Sequence, residues 1–231
     1  MQKAEEKILR VLIFSKAGSG PELSIAKAFK ARGHEVIILN CWSKTGEEAN
    51  YIDLMKYTER KIINKFGKPQ VVWASPDCST YSIAGIHYHR VKNPNTGELD
   101  PVSDYAKYCD EVNERLFEIL KNLRVLYFIE NPMGGLRKMQ WVQNLLHYYI
   151  TYCQYELNLP LEERRQKPTD IWTNHPHPCF KPACGRGAPC HPATPRGSRK
   201  GTQSRKTKKS RGLLPKELCQ HIVDLSETYY K

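Results

Sequence analysis

The feature that most limits the fold of this chain is the exchange of short apolar runs with helical stripes through its first half. Ile8 to Ser15 ("ILRVLIFS") is an apolar run of buried-strand length, followed by a Gly/Ser turn. In "PELSIAKAFKARG", Leu23, Ala26, Phe29 and Ala31 then recur at near-helical spacing, and Gly33 closes the helix. Glu35 to Asn40 ("EVIILN") predicts a second strand, Ile52 to Phe66 a helix with Leu54, Tyr57, Ile62 and Ile63 inward, and Val71 to Ala74 a third strand. Ser103 to Leu123 predicts a long helix striped by Val112, Leu116, Ile119 and Leu123, and Val125 to Ile129 a fourth strand running into Glu130-Asn131-Pro132. Such alternation predicts an α/β fold: a Rossmann-like, doubly wound, mostly parallel sheet with helices on both faces.

After Gln140 the pattern predicts a helix to about Ile150, a strand from Thr151 to Glu156 and a short strand around "TDIWTN". From His175 to Gly212 there is no periodicity, only Pro, Gly, Cys, His and cations. "LPKELCQHIVDLSETYY" then predicts a closing helix, with Pro215 in its first turn and Leu218, Ile222 and Leu225 as its stripe. The expected organisation is an α/β core at 1–174, an irregular Cys/His-rich and basic insertion at 175–212, and a final helix at 213–231 packed back on the core.

Charge narrows the partner. The formal charge is +12, and "PRGSRKGTQSRKTKKSRG" (Pro195 to Gly212) carries eight Lys or Arg and no acid. A solvated loop is the plain reading of such a run. Gly, Ser and Thr between cations also let a backbone follow phosphates, and a nucleic acid is the expected partner, which the resemblance given below narrows to DNA. No apolar run approaches the roughly 20 residues of a membrane span, and "MQKAEEKILR" lacks the apolar core of a signal peptide. The expectation is a cytoplasmic protein, without membrane contact, whose eight cysteines are thiols or metal ligands.

Two strand ends carry reactive groups. In "ASPDCSTYS", Cys78 follows the run Val71 to Ala74 and a Ser-Pro-Asp turn, at the position where ligand crevices of open α/β sheets lie. A cysteine kept for packing belongs inside the run, so Cys78 is a candidate nucleophile. Glu130 ends the strand "VLYFI". In a parallel sheet both groups face one crevice, and a thiol with a nearby proton donor suits conjugate addition to an electron-poor ring. The stretch "YSIAGIHYHR" after the thiol, with Tyr81, His87, Tyr88 and His89, reads equally as a loop closing on DNA or as ordinary packing. Arg90 and Lys92 are read there as phosphate-seeking charges.

These segments together resemble the DNA cytosine-C5 methyltransferases, in particular the short versions encoded by bacteriophages and prophages. "SPDCSTYS" is similar to the family's Pro-Cys nucleophile loop and "FIENP" to its Glu-Asn loop. "TYCQYELNLPLEERRQKPTDIWTN" is similar to the segment in which an Arg-x-Arg pattern follows a strand, and "PRGSRKGTQ" and "RGLLPKELCQHIV" to the phage-type C-terminal segments. The resemblance implies an enzyme in which Cys78 adds to C6 of a flipped-out cytosine and Glu130 holds and protonates N3. Arg165, with Lys167 in place of a second Arg, would contact the base or the Cys78 loop. It implies S-adenosylmethionine as cofactor, bound around Phe14, Ser15, Gly18, Asn40 and Pro76.

The cofactor end departs from the family pattern. Lys16 stands where a glycine is expected in "FSKAGSG", and "VIILN" ends in Asn40 where an acid normally receives the ribose hydroxyls. Both changes leave the thiol and the acid untouched. Two other readings follow from them: a non-catalytic DNA-binding protein with a degenerate cofactor site, or a C5-pyrimidine-modifying enzyme with another donor or a nucleotide substrate. The segment "HPHPCFKPACGRGAPCH" adds a possible zinc site, with Cys179, Cys184 and Cys190 joined by His191, or by His175 or His177. A proline-rich loop with reduced cysteines is the alternative. Cys41, Cys109, Cys153 and Cys219 fall in or beside periodic segments and read as core thiols.

Overall fold

The computed structural model describes residues 7–16, 20–42, 51–185, 187–193 and 212–231. The basic run, apart from Gly212, and Gly18 lie outside the described residues. Eight strands are described: β1 (Arg10–Ser15), β2 (Glu35–Asn40), β3 (Val71–Ala74), β4 (Arg90–Lys92), β5 (Leu99–Pro101), β6 (Leu126–Pro132), β7 (His147–Thr151) and β8 (Pro168–Thr173). The helices are α1 (Gly20–Ala31), α2 (Glu59–Phe66), α3 (Ile86–His89), α4 (Asp104–Leu123), α5 (Gln140–Gln143) and α6 (Lys216–Tyr229).

Six strands form one sheet in the order β2-β1-β3-β6-β8-β7, and β4 and β5 pair apart as a short hairpin. β2, β1, β3 and β6 are mutually parallel; β8 runs against β6, and β7 against β8. Five of the six strands therefore share a direction, in a mixed, mostly parallel α/β sheet compatible with the Rossmann-like plan.

Side chains alternate across this sheet. Leu12, Phe14, Val72 and Ala74 join Val112, Leu116 and Ile119 of α4 in one buried cluster, whereas Val11, Ile13, Val71 and Trp73 join Ile25 and Phe29 of α1 and Leu218 and Ile222 of α6 in another. Burial on both faces is why these strands read as continuous apolar runs rather than as alternating ones. Ser103 caps α4, its hydroxyl accepting the Ala106 N–H at 3.1 Å, and Thr58 caps α2 in the same way from Lys61.

The second half differs from the expected string. Between Ile52 and Phe66 the chain makes a 3₁₀ turn (Leu54–Lys56) and only then α2. The helix expected from Gln140 to Ile150 stops at Gln143, and His147–Thr151 instead forms β7. Tyr148, Tyr149 and Ile150 suit a pleated strand, and pairing with β8 overrides the weak helical spacing. The strand expected at Thr151 to Glu156 is a 3₁₀ turn, Tyr152–Tyr155, that buries Tyr152, Cys153 and Tyr155. β6 does not end before Glu130: pairing with β8 carries it through Pro132, with Glu130 opposite Ile171.

Register sets the rim where chemistry is expected. Leu39, Phe14, Ala74 and Ile129 form one row across the four parallel strands, so Asn40, Ser15, Ser75 and Glu130 come next at their carboxyl ends. From β1 the order runs one way to β2 and the other way to β3. The gap between β1 and β3 is thus the topological switch point, where ligands of open α/β sheets bind.

Candidate active site

Cys78 lies four residues beyond the last paired residue of β3, in a turn that is tied down on every side. Asp77 Oδ1 accepts the Ser79 N–H at 2.7 Å, and the Cys78 carbonyl accepts the N–H groups of Tyr81 and Ser82 at 3.1 and 2.9 Å. The next residues are held by Arg90, whose side chain is fully buried. Its guanidinium donates to the Thr80 carbonyl and hydroxyl, both at 3.0 Å, and to both carboxylate oxygens of Asp110. It also stacks 4.0 Å from the centre of the buried Tyr81 ring, whose hydroxyl bonds Asp110 and Asn113 on α4. Arg90 is therefore an internal anchor and does not serve as a phosphate-seeking charge. Tyr81 is core, while Tyr88 is 72% exposed.

The Glu130 side reaches the thiol through backbone and field. Asn131 Nδ2 donates to the Pro76 carbonyl at 2.9 Å, which links β6 to the turn before Cys78. Asn131 Oδ1 is buried and has no hydrogen-bond partner among the described residues. Glu130, 2% exposed, accepts the Tyr152 hydroxyl at 3.0 Å and lies 3.9 Å from the Lys167 ammonium. Lys167 in turn sits 4.7 Å over the Tyr152 ring.

Burial pushes the Glu130 carboxyl above its ordinary range, and Lys167 and the Tyr152 hydrogen bond only partly offset that. Burial likewise pushes the Cys78 thiol up to about 11; Asp77 and Glu130 add to the rise and Lys167 opposes it. At neutral pH the resting cysteine is a thiol. The Cys78 thiol thus feels the charges of both Glu130 and Lys167.

Arg165 is placed elsewhere. Its backbone N–H and Nε each donate to Glu156 at 2.7 Å, Nη2 closes a further bond to the same carboxylate, and Nη1 donates to the Leu213 carbonyl at 2.8 Å. The guanidinium lies 5.2 Å from the centre of the Tyr152 ring. Arg165 therefore backs Tyr152, and Lys167 is the cation that acts on Cys78 and Glu130. Because the Glu156 side chain is only 4% exposed, Arg165→Ala is expected to strand a buried carboxylate and cost about 3–5 kcal/mol. Replacing both partners, as Arg165→Met with Glu156→Leu, should recover most of that in denaturant unfolding. Equal losses from the single and double variants would place the effect outside the ion pair.

At the cofactor end, Phe14 and Ser15 are fully buried, Asn40 is 4% exposed, and Asn40 Oδ1 accepts the Trp42 N–H at 3.3 Å. Pro76 takes part through its carbonyl. Lys16 reaches across the switch point to Asp77 Oδ2 at 2.7 Å, and the Tyr105 hydroxyl bonds the same carboxylate. Burial opposes the Asp77 charge, but these donors and Ser79 overcome it and hold the carboxyl below its ordinary range. Tyr105 was not legible as a site residue, since only the fold brings α4 to this rim.

A second constellation lies on the other flank of Tyr152. Cys153, Cys184, Cys190 and His191 present ligand atoms that all lie within 4.8 Å of one another, a group able to hold a metal ion such as zinc. The expected Cys179 is exposed and outside the group, and Cys153, read from sequence as a core thiol, takes its place. The 3₁₀ turn after β7 is what carries Cys153 there. No protein-family model matches the chain, and no curated protein matches it either.

Proposed function

We propose that the protein is an S-adenosylmethionine-dependent DNA cytosine-C5 methyltransferase. The observation that carries this reading is that the Cys78 thiol, just past the carboxyl end of β3, feels the charge of the buried Glu130 carboxyl and of Lys167 beside it. The resemblance of "SPDCSTYS" and "FIENP" to the family's two loops supplies the substrate class. In this reading the core is of the methyltransferase type, the 175–212 segment is an insertion that meets DNA, and the last helix completes the core.

The residues at the switch point fit the amino-acid end of the cofactor. Lys16 and Asp77 are paired with each other, and would exchange that pair for the carboxylate and ammonium of an amino-acid zwitterion. Asn40 fits the ribose end as a neutral acceptor, weaker than an acid. When bound, the cofactor supplies an electrophilic methyl group.

The chain's own residues would then act on a cytosine flipped out of its duplex, because C6 is shielded in the base stack. The Cys78 thiol gives up its proton to solvent and sulfur bonds to C6. Glu130 passes its proton to N3, and the electron pair displaced from the C5–C6 bond makes C5 nucleophilic. Lys167 favours the thiolate and so lowers the cost of the first step. After C5 has been substituted, loss of its proton to water restores the double bond, N3 returns its proton to Glu130, and the sulfur–C6 bond breaks. Asn131 Oδ1, an acceptor without a donor among the described residues, suits the exocyclic amino group that distinguishes cytosine from thymine.

The test is transfer of labelled methyl to cytosine-containing DNA, read as 5-methylcytosine. Neutralising Arg205, Lys206, Lys208 and Lys209 should weaken DNA binding and flatten the dependence of log K on log salt by about 3–4, at roughly 0.9 per lost phosphate contact. An unchanged slope would remove the basic run from the interface. A different donor is the second reading, favoured by Lys16 and Asn40. Covalent capture of DNA without methyl transfer would select it.

A further inference from the structure

We infer that Cys153, Cys184, Cys190 and His191 bind one zinc ion, which fastens the irregular Cys/His segment to the turn that carries Tyr152. The inference rests first on distance. Cys153 Sγ lies 3.3 Å from Cys184 Sγ and 3.6 Å from Cys190 Sγ, and His191 Nδ1 lies 3.6 and 3.4 Å from the sulfurs of Cys184 and Cys190. A tetrahedral zinc with bonds of about 2.3 Å to sulfur and about 2.0–2.1 Å to nitrogen has S···S edges of about 3.8 Å and S···N edges of about 3.5 Å. Four of the six edges are close to those lengths, and the other two are no longer than 4.8 Å. A disulfide would need about 2.05 Å, and all eight cysteines are unpaired.

The surroundings suit a metal-thiolate site. Gln154 Nε2 donates to Cys190 Sγ at 3.2 Å and Gln166 Nε2 approaches Cys184 Sγ at 3.8 Å, N–H donors of the kind that stabilise bound thiolates. The Cys184 N–H is fixed by Thr151 Oγ1 at 2.9 Å. Cys153 and His191 are buried and the other two ligands half-buried, so four protein atoms close the site and leave it structural rather than catalytic. Three soft sulfurs and one imidazole select zinc over magnesium or calcium.

The segment also has need of a cross-link. Between His175 and Ala193 the described residues form neither helix nor strand, and too few apolar side chains are present for the segment to fold alone. Cys153 is the neighbour of Tyr152, whose N–H bonds the Lys167 carbonyl at 3.2 Å and whose hydroxyl bonds Glu130. Zinc therefore braces the turn beneath the proposed proton donor; this last consequence rests on the proposed function, whereas the metal site does not.

The test uses the full chain, purified without added metal and analysed for elements. One zinc per chain is expected, retained in Cys179→Ser and lost in Cys184→Ser and in Cys190→Ser. Should those variants fail to fold, wild-type protein stripped by a chelator and titrated with cobalt(II) gives the answer. One equivalent should then produce tetrahedral d–d absorption with a thiolate charge-transfer band, and restore hydrogen-exchange protection at 151–156 and 175–193. Absence of both zinc and the cobalt signature would overturn the assignment, as would iron in place of zinc or loss of metal on Cys179→Ser. None of these readouts depends on methyl transfer, so failure here and failure of the enzymatic reading are separable.

Discussion

Cys78→Ala should lower methyl transfer to DNA by at least about 10⁴-fold, because the covalent route through its sulfur disappears. The same substitution should leave the fold almost untouched. Cys78 is only half-buried, and the anchors of its loop are Asp77, Tyr81 and Arg90, so the change in stability should stay within about 1 kcal/mol. DNA affinity should also survive, since charge is unaltered. Measured together, transfer, unfolding and binding separate a lost nucleophile from a damaged structure. Full activity in the variant would remove Cys78 from the mechanism.

Glu130→Gln should cost about 10²–10⁴-fold, the usual range for a lost general acid, and should change the pH profile in a particular way. The reactive form needs a thiolate at Cys78, pushed up to about 11, together with a proton on Glu130, raised from its ordinary range by burial. That form is a minor species whose share rises with pH as far as the Glu130 pKa. Between the two pKa values the gain in thiolate and the loss of carboxylic acid cancel. Wild-type kcat/KM should therefore rise with pH up to the raised Glu130 pKa, run level from there to about 11, and fall above it. In Glu130→Gln only the thiol titrates, so the residual rate should keep climbing with pH over the range where the wild type is level. A flat profile in the variant would contradict the proton-donor role.

How much of this was legible in the sequence depends on where each residue's partner lies. β1, β3 and β6 stand out because they are buried on both faces, β2 because its apolar run is short and flanked by turn residues, and α4 because its stripe runs through five turns. The placement of Cys78 just past β3 and of Glu130 toward the carboxyl end of β6 follows from the same signal. The segment from Gln140 to Glu156 was not, because its structure is decided by β8, which lies farther along the chain and runs against β6. That one misassignment also hid Tyr152 as the Glu130 partner and Cys153 as a member of the cysteine cluster. Arg165 and Arg90 looked available to a ligand, since nothing local announces the buried acids Glu156 and Asp110 as their partners. Charge in a sequence shows a residue's capacity; burial decides whether that capacity is already used.

The central claim is tested most directly by incubating the purified protein with methyl-labelled S-adenosylmethionine and DNA containing 5-fluorocytosine. Fluorine at C5 cannot leave as a proton does, so the sulfur–C6 bond should persist after methyl transfer. The expected result is a labelled covalent protein–DNA adduct, formed by the wild type and absent in Cys78→Ala. DNA that binds but forms no covalent adduct would contradict the account and leave the protein a DNA-binding α/β fold.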